Sequence, residues 1–145
     1  MRRIAVLLVP MLVAACLSTA DTSLSLDPTD ANVAGSFALS TINGSGLPVI
    51  ASVTTTQEFD LTSDTVSIAS DGTWIETSVY SVTLLADNTK STLVTTIGGA
   101  YTIANQQINF VQTSGGGSVA FAGSVRGNRL TILFGGSQFL YNRST

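Results

Sequence analysis

Residues 99–143 read GAYTIANQQINFVQTSGGGSVAFAGSVRGNRLTILFGGSQFLYNR, and the fold is decided there. Four places in this stretch carry turn chemistry: Asn105-Gln106, the run at 114–117, Gly127-Asn128 and Gly135-Gly136. Folding the chain back at each one sets Tyr101 opposite Phe110, Ile103 opposite Ile108, Phe110 opposite Phe121 and Gln112 opposite Val119. It also sets Val125 opposite Leu130, Leu130 opposite Tyr141 and Ile132 opposite Phe139. Directly opposed residues of an antiparallel pair share a sheet face. One face therefore carries Tyr101, Ile103, Ile108, Phe110, Val119, Phe121, Val125, Leu130, Ile132, Phe139 and Tyr141. The other carries Thr102, Asn109, Ser124, Arg126, Arg129, Thr131 and Asn142, with Leu133 and Leu140 as apolar exceptions. A slip of one residue in any hairpin would turn half of the apolar set outward. Turns chosen on their chemistry alone thus give one consistent face, which predicts a five-strand antiparallel meander.

Upstream the period-two pattern continues between turn pairs. Phe37-x-Leu39 alternates before Asn43-Gly44 and Pro48, while 49–56 and 59–61 are β-rich but weakly patterned. Val66-x-Ile68 leads into Asp71-Gly72, a strong hairpin signal. Residues 73–85 read as one long strand or a bulged pair, Asp87-Asn88 turns into 90–97, and Gly98-Gly99 is expected to break that run. No helical periodicity of useful length follows Val13. The chain is therefore predicted to be all-β, an antiparallel up-and-down barrel of about eight to ten strands, with a two-sheet sandwich as the alternative. The interior of a barrel of about eight strands is either just filled by side chains or holds one small ligand. Gly123, on the inner face between Phe121 and Val125, is expected to leave interior volume open or to mark a bend in the wall.

The first residues give an address. Residues 1–15 begin Met-Arg-Arg, continue with an apolar run from Ile4 to Val13 and end in small residues, the order of a secretory signal. The run is too short to span a bilayer, which takes about 20 apolar residues, and Pro10 interrupts it. Val13-Ala14-Ala15-Cys16 resembles the lipobox of bacterial lipoproteins. The resemblance implies that Cys16 is acylated, becomes the first residue of the mature chain and holds it to a membrane. Leu17 in place of an Asp after the cysteine resembles outer-membrane sorting. The alternative is cleavage after Ala20, since Ser18-Thr19-Ala20 also has the small-x-small form, which would release a soluble protein. In either case the single cysteine leaves the domain without a disulfide. Residues 16–34 lack periodicity and read as a flexible tether, and 35–145 as the folded domain.

Composition excludes several function classes. Beyond the signal, Lys90, Arg126, Arg129 and Arg143 are the only cations against nine carboxylates. That is a poor match to nucleic acid, which needs clustered Lys and Arg, and to a polybasic grip on anionic lipid. The absence of histidine removes Ser-His-Asp and Cys-His catalysis and most zinc sites. Lys90 follows a turn in solvent. Glu58, Asp60, Asp64, Asp71, Glu76 and Asp87 are left as candidates for a carboxylate pair, with Glu58 and Asp60 spaced to share a strand face. The plainer reading is that such charges keep a β protein soluble and guard its sheet edges. Asp60 and Asp64 do not match a calcium loop, and the glycines at 115–117 lack the lysine and helix of a phosphate loop. The chain is expected not to be an enzyme and to use no cofactor or metal.

Gly35-Ser36-Phe37 resembles the Gly-x-Trp motif that opens the lipocalin barrel, with Phe for Trp. In that family an arginine near the end of the last strand lies across the aromatic ring, and Arg143 occupies the matching place, so the resemblance implies a barrel-closing pair of Phe37 and Arg143. Asp71-Gly72-Thr73-Trp74, Gly99-Ala100-Tyr101-Thr102-Ile103 and Ile108-Asn109-Phe110 look like small bacterial lipocalin-like lipoproteins. The chain departs from lipocalins in its missing disulfide, in having no evident helix after the last strand and in lacking a second lipocalin signature. The aromatic residues read either as ordinary core or as a pocket lining, in which case Trp74, Tyr101, Phe110, Phe121, Phe139 and Tyr141 are the expected ligand contacts. Two functions stay open: a membrane-anchored barrel that binds a small hydrophobic ligand, or a non-catalytic structural or interaction protein of the cell envelope with a filled barrel. A cavity above about 300 Å³ would favour the first.

Overall fold

The computed structural model describes residues 30–115 and 117–144. Cys16, the signal segment and most of the expected tether lie outside the described residues. One helical turn, α1 (Asp30–Val33), precedes ten strands: β1 (Gly35–Ile42), β2 (Ser45–Gly46), β3 (Val49–Val53), β4 (Gln57–Ile68), β5 (Thr73–Leu84), β6 (Lys90–Ala104), β7 (Gln107–Gln112), β8 (Ala120–Arg126), β9 (Arg129–Phe134) and β10 (Ser137–Arg143). Every pairing is antiparallel. β1 pairs with β10 along one edge and with β4 along the other, so β1 and β4 to β10 close into an eight-stranded barrel. The sandwich alternative falls, because a closed ring leaves no second sheet. β2 and β3 are the two additional strands, one on β1 and one on β4, where those two strands part.

The last third has the predicted register. Tyr101 faces Phe110, Ile103 faces Ile108, Phe110 faces Phe121, Val125 faces Leu130, and Tyr141 and Phe139 face Leu130 and Ile132. Asn43-Gly44, Asn105-Gln106 and Gly135-Gly136 all have positive φ, the hairpin geometry whose twist matches the flanking strands. Buried side chains from all round the ring, among them Phe37, Leu39, Leu61, Val66, Ile68, Trp74, Ile108, Phe110 and Leu130, form one core cluster. Val33, in the segment expected to be tether, is fully buried and belongs to that cluster, because its apolar side chain covers the barrel base.

Two glycine readings are corrected. β6 does not break at Gly98-Gly99 but runs through it. A Cβ on Gly98 would lie 2.7 Å from the Trp74 carbonyl oxygen, and one on Gly99 would overlap the Val111 carbonyl. These glycines let neighbouring backbones approach where β6 passes from one surrounding to another. Beyond them, residues 90–97 pair with β5 alone, and with β3, β4 and β5 they form a flange past the barrel mouth. Ile50, Val53, Leu84, Leu85, Leu93 and Val94 are exposed on it. Gly123 leaves no open volume either. A Cβ there would meet the Thr131 carbonyl oxygen at 2.9 Å and Phe110 at 3.0 Å, so its neighbours already fill the space.

At the opposite end the Arg143 guanidinium lies over the Phe37 ring, 4.5 Å from its centroid, and the two residues face each other in register. Nη1 donates to the Ala34 carbonyl at 2.6 Å and Nη2 to that of Asn32 at 2.9 Å. A side chain on Gly35 would collide with Nη1, which accounts for glycine at that position.

Two stability outcomes follow. Arg143→Ala loses the stacked cation and both charged hydrogen bonds and is expected to lower unfolding free energy by about 1–3 kcal/mol in urea titrations. Gly99→Ala is expected to cost about 2 kcal/mol or more, whereas Gly46→Ala, where the added Cβ meets no atom within 4 Å, should stay within about 1 kcal/mol of wild type. Equal costs for the two glycine variants would contradict the close approach at Gly99.

Candidate functional site

β5 turns Trp74, Glu76, Ser78, Tyr80 and Val82 inward by simple alternation. β4 does not alternate throughout. It turns Leu61 inward, bulges between Leu61 and Ser63, and resumes one step out of phase with Asp64, Val66 and Ile68 buried. A bulge inserts one residue and re-aims everything after it. This one brings a carboxylate inside.

Asp64 lies opposite Ser78, whose Oγ donates to Asp64 Oδ2 at 2.8 Å. Asp64 is 5% exposed, and its Oδ1 accepts no hydrogen bond. Glu76 and Tyr141 flank the carboxylate. Burial, followed by the neighbouring Asp64 charge, pushes the Glu76 carboxyl up to about 8. Burial also raises Asp64, against the lowering influence of Glu76, Ser78 and Tyr141. The Tyr141 phenol is raised as well, first by burial and then by the two carboxylates. The pair therefore retains a proton at neutral pH. Among the described residues no cation acts on either carboxyl. Lys90, Arg126 and Arg129 are exposed, and Arg143 is engaged at the base.

Next to this pair a cavity of about 120 Å³ opens at the mouth. Its apolar wall is Ile97, Val119, Phe121, Ile132, Phe134 and Phe139, and its polar groups are Glu76, Gln112 and Tyr141. Of the expected ligand contacts, Phe121, Phe139 and Tyr141 line it. Trp74, Tyr101 and Phe110 do not. They pack in the core, with Trp74 edge-on to Phe110 and Phe121 at ring separations of 5.6 and 5.3 Å. Their polar handles are committed: Trp74 Nε1 donates to the Ala100 carbonyl at 3.1 Å and the Tyr101 hydroxyl to that of Ala69 at 2.8 Å. The carboxylates singled out by spacing, Glu58 and Asp60, stand opposite Thr83 and Ser81 in the flange, do not line the cavity and take no part. Asp64 and Glu76 stand among the six candidate carboxylates of the sequence, but spacing does not single them out as the pair, and Gln112, Ile97 and Phe134 are not among the residues expected at the site. The available signal is that Glu76 and Ser78, in a row with Trp74, Tyr80 and Val82, are two polar residues on a face that is otherwise aromatic and aliphatic. Among the described residues no three His, Cys, Asp or Glu side chains come together as a metal would need.

Comparisons of the chain with protein-family models, curated proteins and solved structures return no match.

The carboxylate pair sets a pH dependence. Unfolded, Glu76 ionises near the ordinary glutamate value, and folded only near 8. The folded state thus binds more protons between those values, so stability falls as pH rises through that window and levels off above it. Glu76→Gln removes the part of the slope that Glu76 sets, leaving that of Asp64, and is expected to be more stable than wild type by about 2–4 kcal/mol at about pH 8.5, with little difference at about pH 4.5. Urea titrations across the range check this, and a flat wild-type profile would refute the buried pair.

Proposed function

We propose that this chain is an exported, lipid-anchored, non-catalytic barrel that seats one compact amphipathic molecule in its mouth. The observation that carries the reading is the cavity of about 120 Å³, apolar on most of its wall, with the half-buried Glu76 carboxyl in that wall. Binding sites for larger molecules usually enclose about 300–1,000 Å³, whereas an apolar cavity of about 150 Å³ takes up benzene. The occupant is therefore about one ring in size and not a long acyl chain. Absence of histidine and the engagement of Ser78 with Asp64 support a role without covalent chemistry. The anchor rests on Cys16 and its preceding small residues.

A second reading, an interaction protein of the cell envelope, is favoured by one observation. The flange exposes Ile50, Val53, Leu84, Leu85, Leu93 and Val94, six of the ten large hydrophobic side chains exposed among the described residues.

Mass spectrometry of the protein taken from its own envelope separates these readings. The denatured mass is expected to show a chain beginning at an acylated Cys16, and a start at Asp21 would refute the anchor. The native mass is expected to exceed it by a constant increment of about 100–200 Da, a one-ring molecule. Val119→Phe, which fills the cavity from its rim, should abolish the increment while leaving the fold intact. Native and denatured masses that agree in every preparation would shift the assignment to the filled-barrel interaction protein.

A further inference from the structure

We infer that the molecule seated in the mouth is an organic cation, an ammonium group on a compact apolar body, with the ammonium at Glu76 and the body against Phe121, Phe134 and Phe139. This rests on the proposed reading of the cavity as a binding site.

The argument is one of charge and donors. Asp64 and Glu76 are acceptor groups when ionised, and they adjoin within the barrel interior. An anionic pair of one buried and one half-buried carboxylate is costly unless a cation or a proton offsets it. The cations among the described residues are elsewhere, so a proton does so in the free protein. Asp64, 5% exposed, is not part of the cavity wall: Ser78 donates to its Oδ2, no donor stands in hydrogen-bond geometry at its Oδ1, and Glu76 is the member of the pair that faces the cavity. What the pair lacks is a positively charged group with several N–H donors, which an ammonium supplies. The rest of the wall suits the rest of such a ligand. Phe121 and Phe134 meet edge to face at 5.7 Å and offer the apolar body an aromatic wall. A metal ion fits less well, since the wall beyond Glu76 offers only Gln112 and Tyr141 as oxygen donors among apolar side chains.

The exchange balances. An ammonium that binds at the pair holds Glu76 ionised, and the displaced proton passes to solvent. The groups facing Glu76 are Asp64 from β4 and Tyr141 from β10, with Tyr80 beyond Tyr141 on β5 itself. β6, β7, β8 and β9 contribute Ile97, Gln112, Phe121 and Ile132 to the same wall and no titratable group. Proton release therefore reports this pair.

The test is calorimetric titration of the full-length protein with benzylammonium, and with benzyl alcohol as its uncharged match in size. The expected result is an affinity for benzylammonium that rises about tenfold from about pH 6 to pH 8. At neutral pH the binding heat should differ between phosphate and Tris by the amount that proton release requires. Glu76→Gln should weaken benzylammonium at least about tenfold while melting no lower than wild type. If benzyl alcohol binds as tightly, with no dependence on pH or buffer, the cation inference is overturned and the pocket stands. If neither probe binds, both the inference and the pocket reading fail.

Discussion

Strand β1 has to satisfy two partners at once, and the barrel exists only because it does. Gly35 to Ala38 pair with β4, and Phe37 to Ile42 pair with β10, so the same few residues hydrogen-bond on both edges. Closure of this kind removes two edges that would otherwise template aggregation. It also places a demand on one spot, since the last residues of the chain must arrive at the first residues of the ring. The Arg143 guanidinium meets that demand. It covers Phe37, its register partner, and reaches the carbonyls of Asn32 and Ala34 just before β1 begins. Val33 then seals the base from below. The order at this end, with a stacked cation and satisfied carbonyls, is what allows the other end to differ.

The other end differs because the strands are unequal. β4, β5 and β6 have 12, 12 and 15 residues, against six or seven in β7 to β10. The surplus has no partner across the barrel and becomes the flange. The transition is written in backbone, with the bulge in β4 on one side and Gly98-Gly99 in β6 on the other. Both irregularities lie at the level where the carboxylate pair and the cavity are found. A bulge next to a site that re-aims a side chain is a recurrent device, and here the side chain is Asp64.

How much of this was legible in the sequence depends on the kind of signal. Residues 99–143 alternate cleanly between short turns, so turn chemistry fixed the register and the register fixed the inner face. The lower half of the site came with it, because Phe121, Phe139 and Tyr141 belong to that face. β4 resisted for a physical reason. Between Leu61 and Asp64 the inward positions are three apart, and a period-two reading puts Asp64 outside. The spacing of Glu58 and Asp60 suggested a carboxylate pair, yet the pair that forms is a diagonal across β4 and β5 that no local spacing reveals. The glycines misled for a related reason: glycine as a turn residue and glycine as a point of close backbone contact look alike until the neighbouring strand is known.

A barrel this small has little interior to spare, and its use of that interior is informative. Nearly all of the inner face below the mouth is aromatic or branched aliphatic, as the core of a chain without a disulfide requires. Against that background, ionisable groups inside are a stability cost, and Asp64, Glu76 and Tyr141 all have their proton affinities raised by burial. Hydrophobic residues of similar volume would relieve that cost without changing the fold. Under the proposed reading, the pair is what would let the barrel distinguish one small molecule from others of the same shape. The carboxylates stand at the cavity and away from the Arg143 closure, so the expense is confined to the mouth of the barrel.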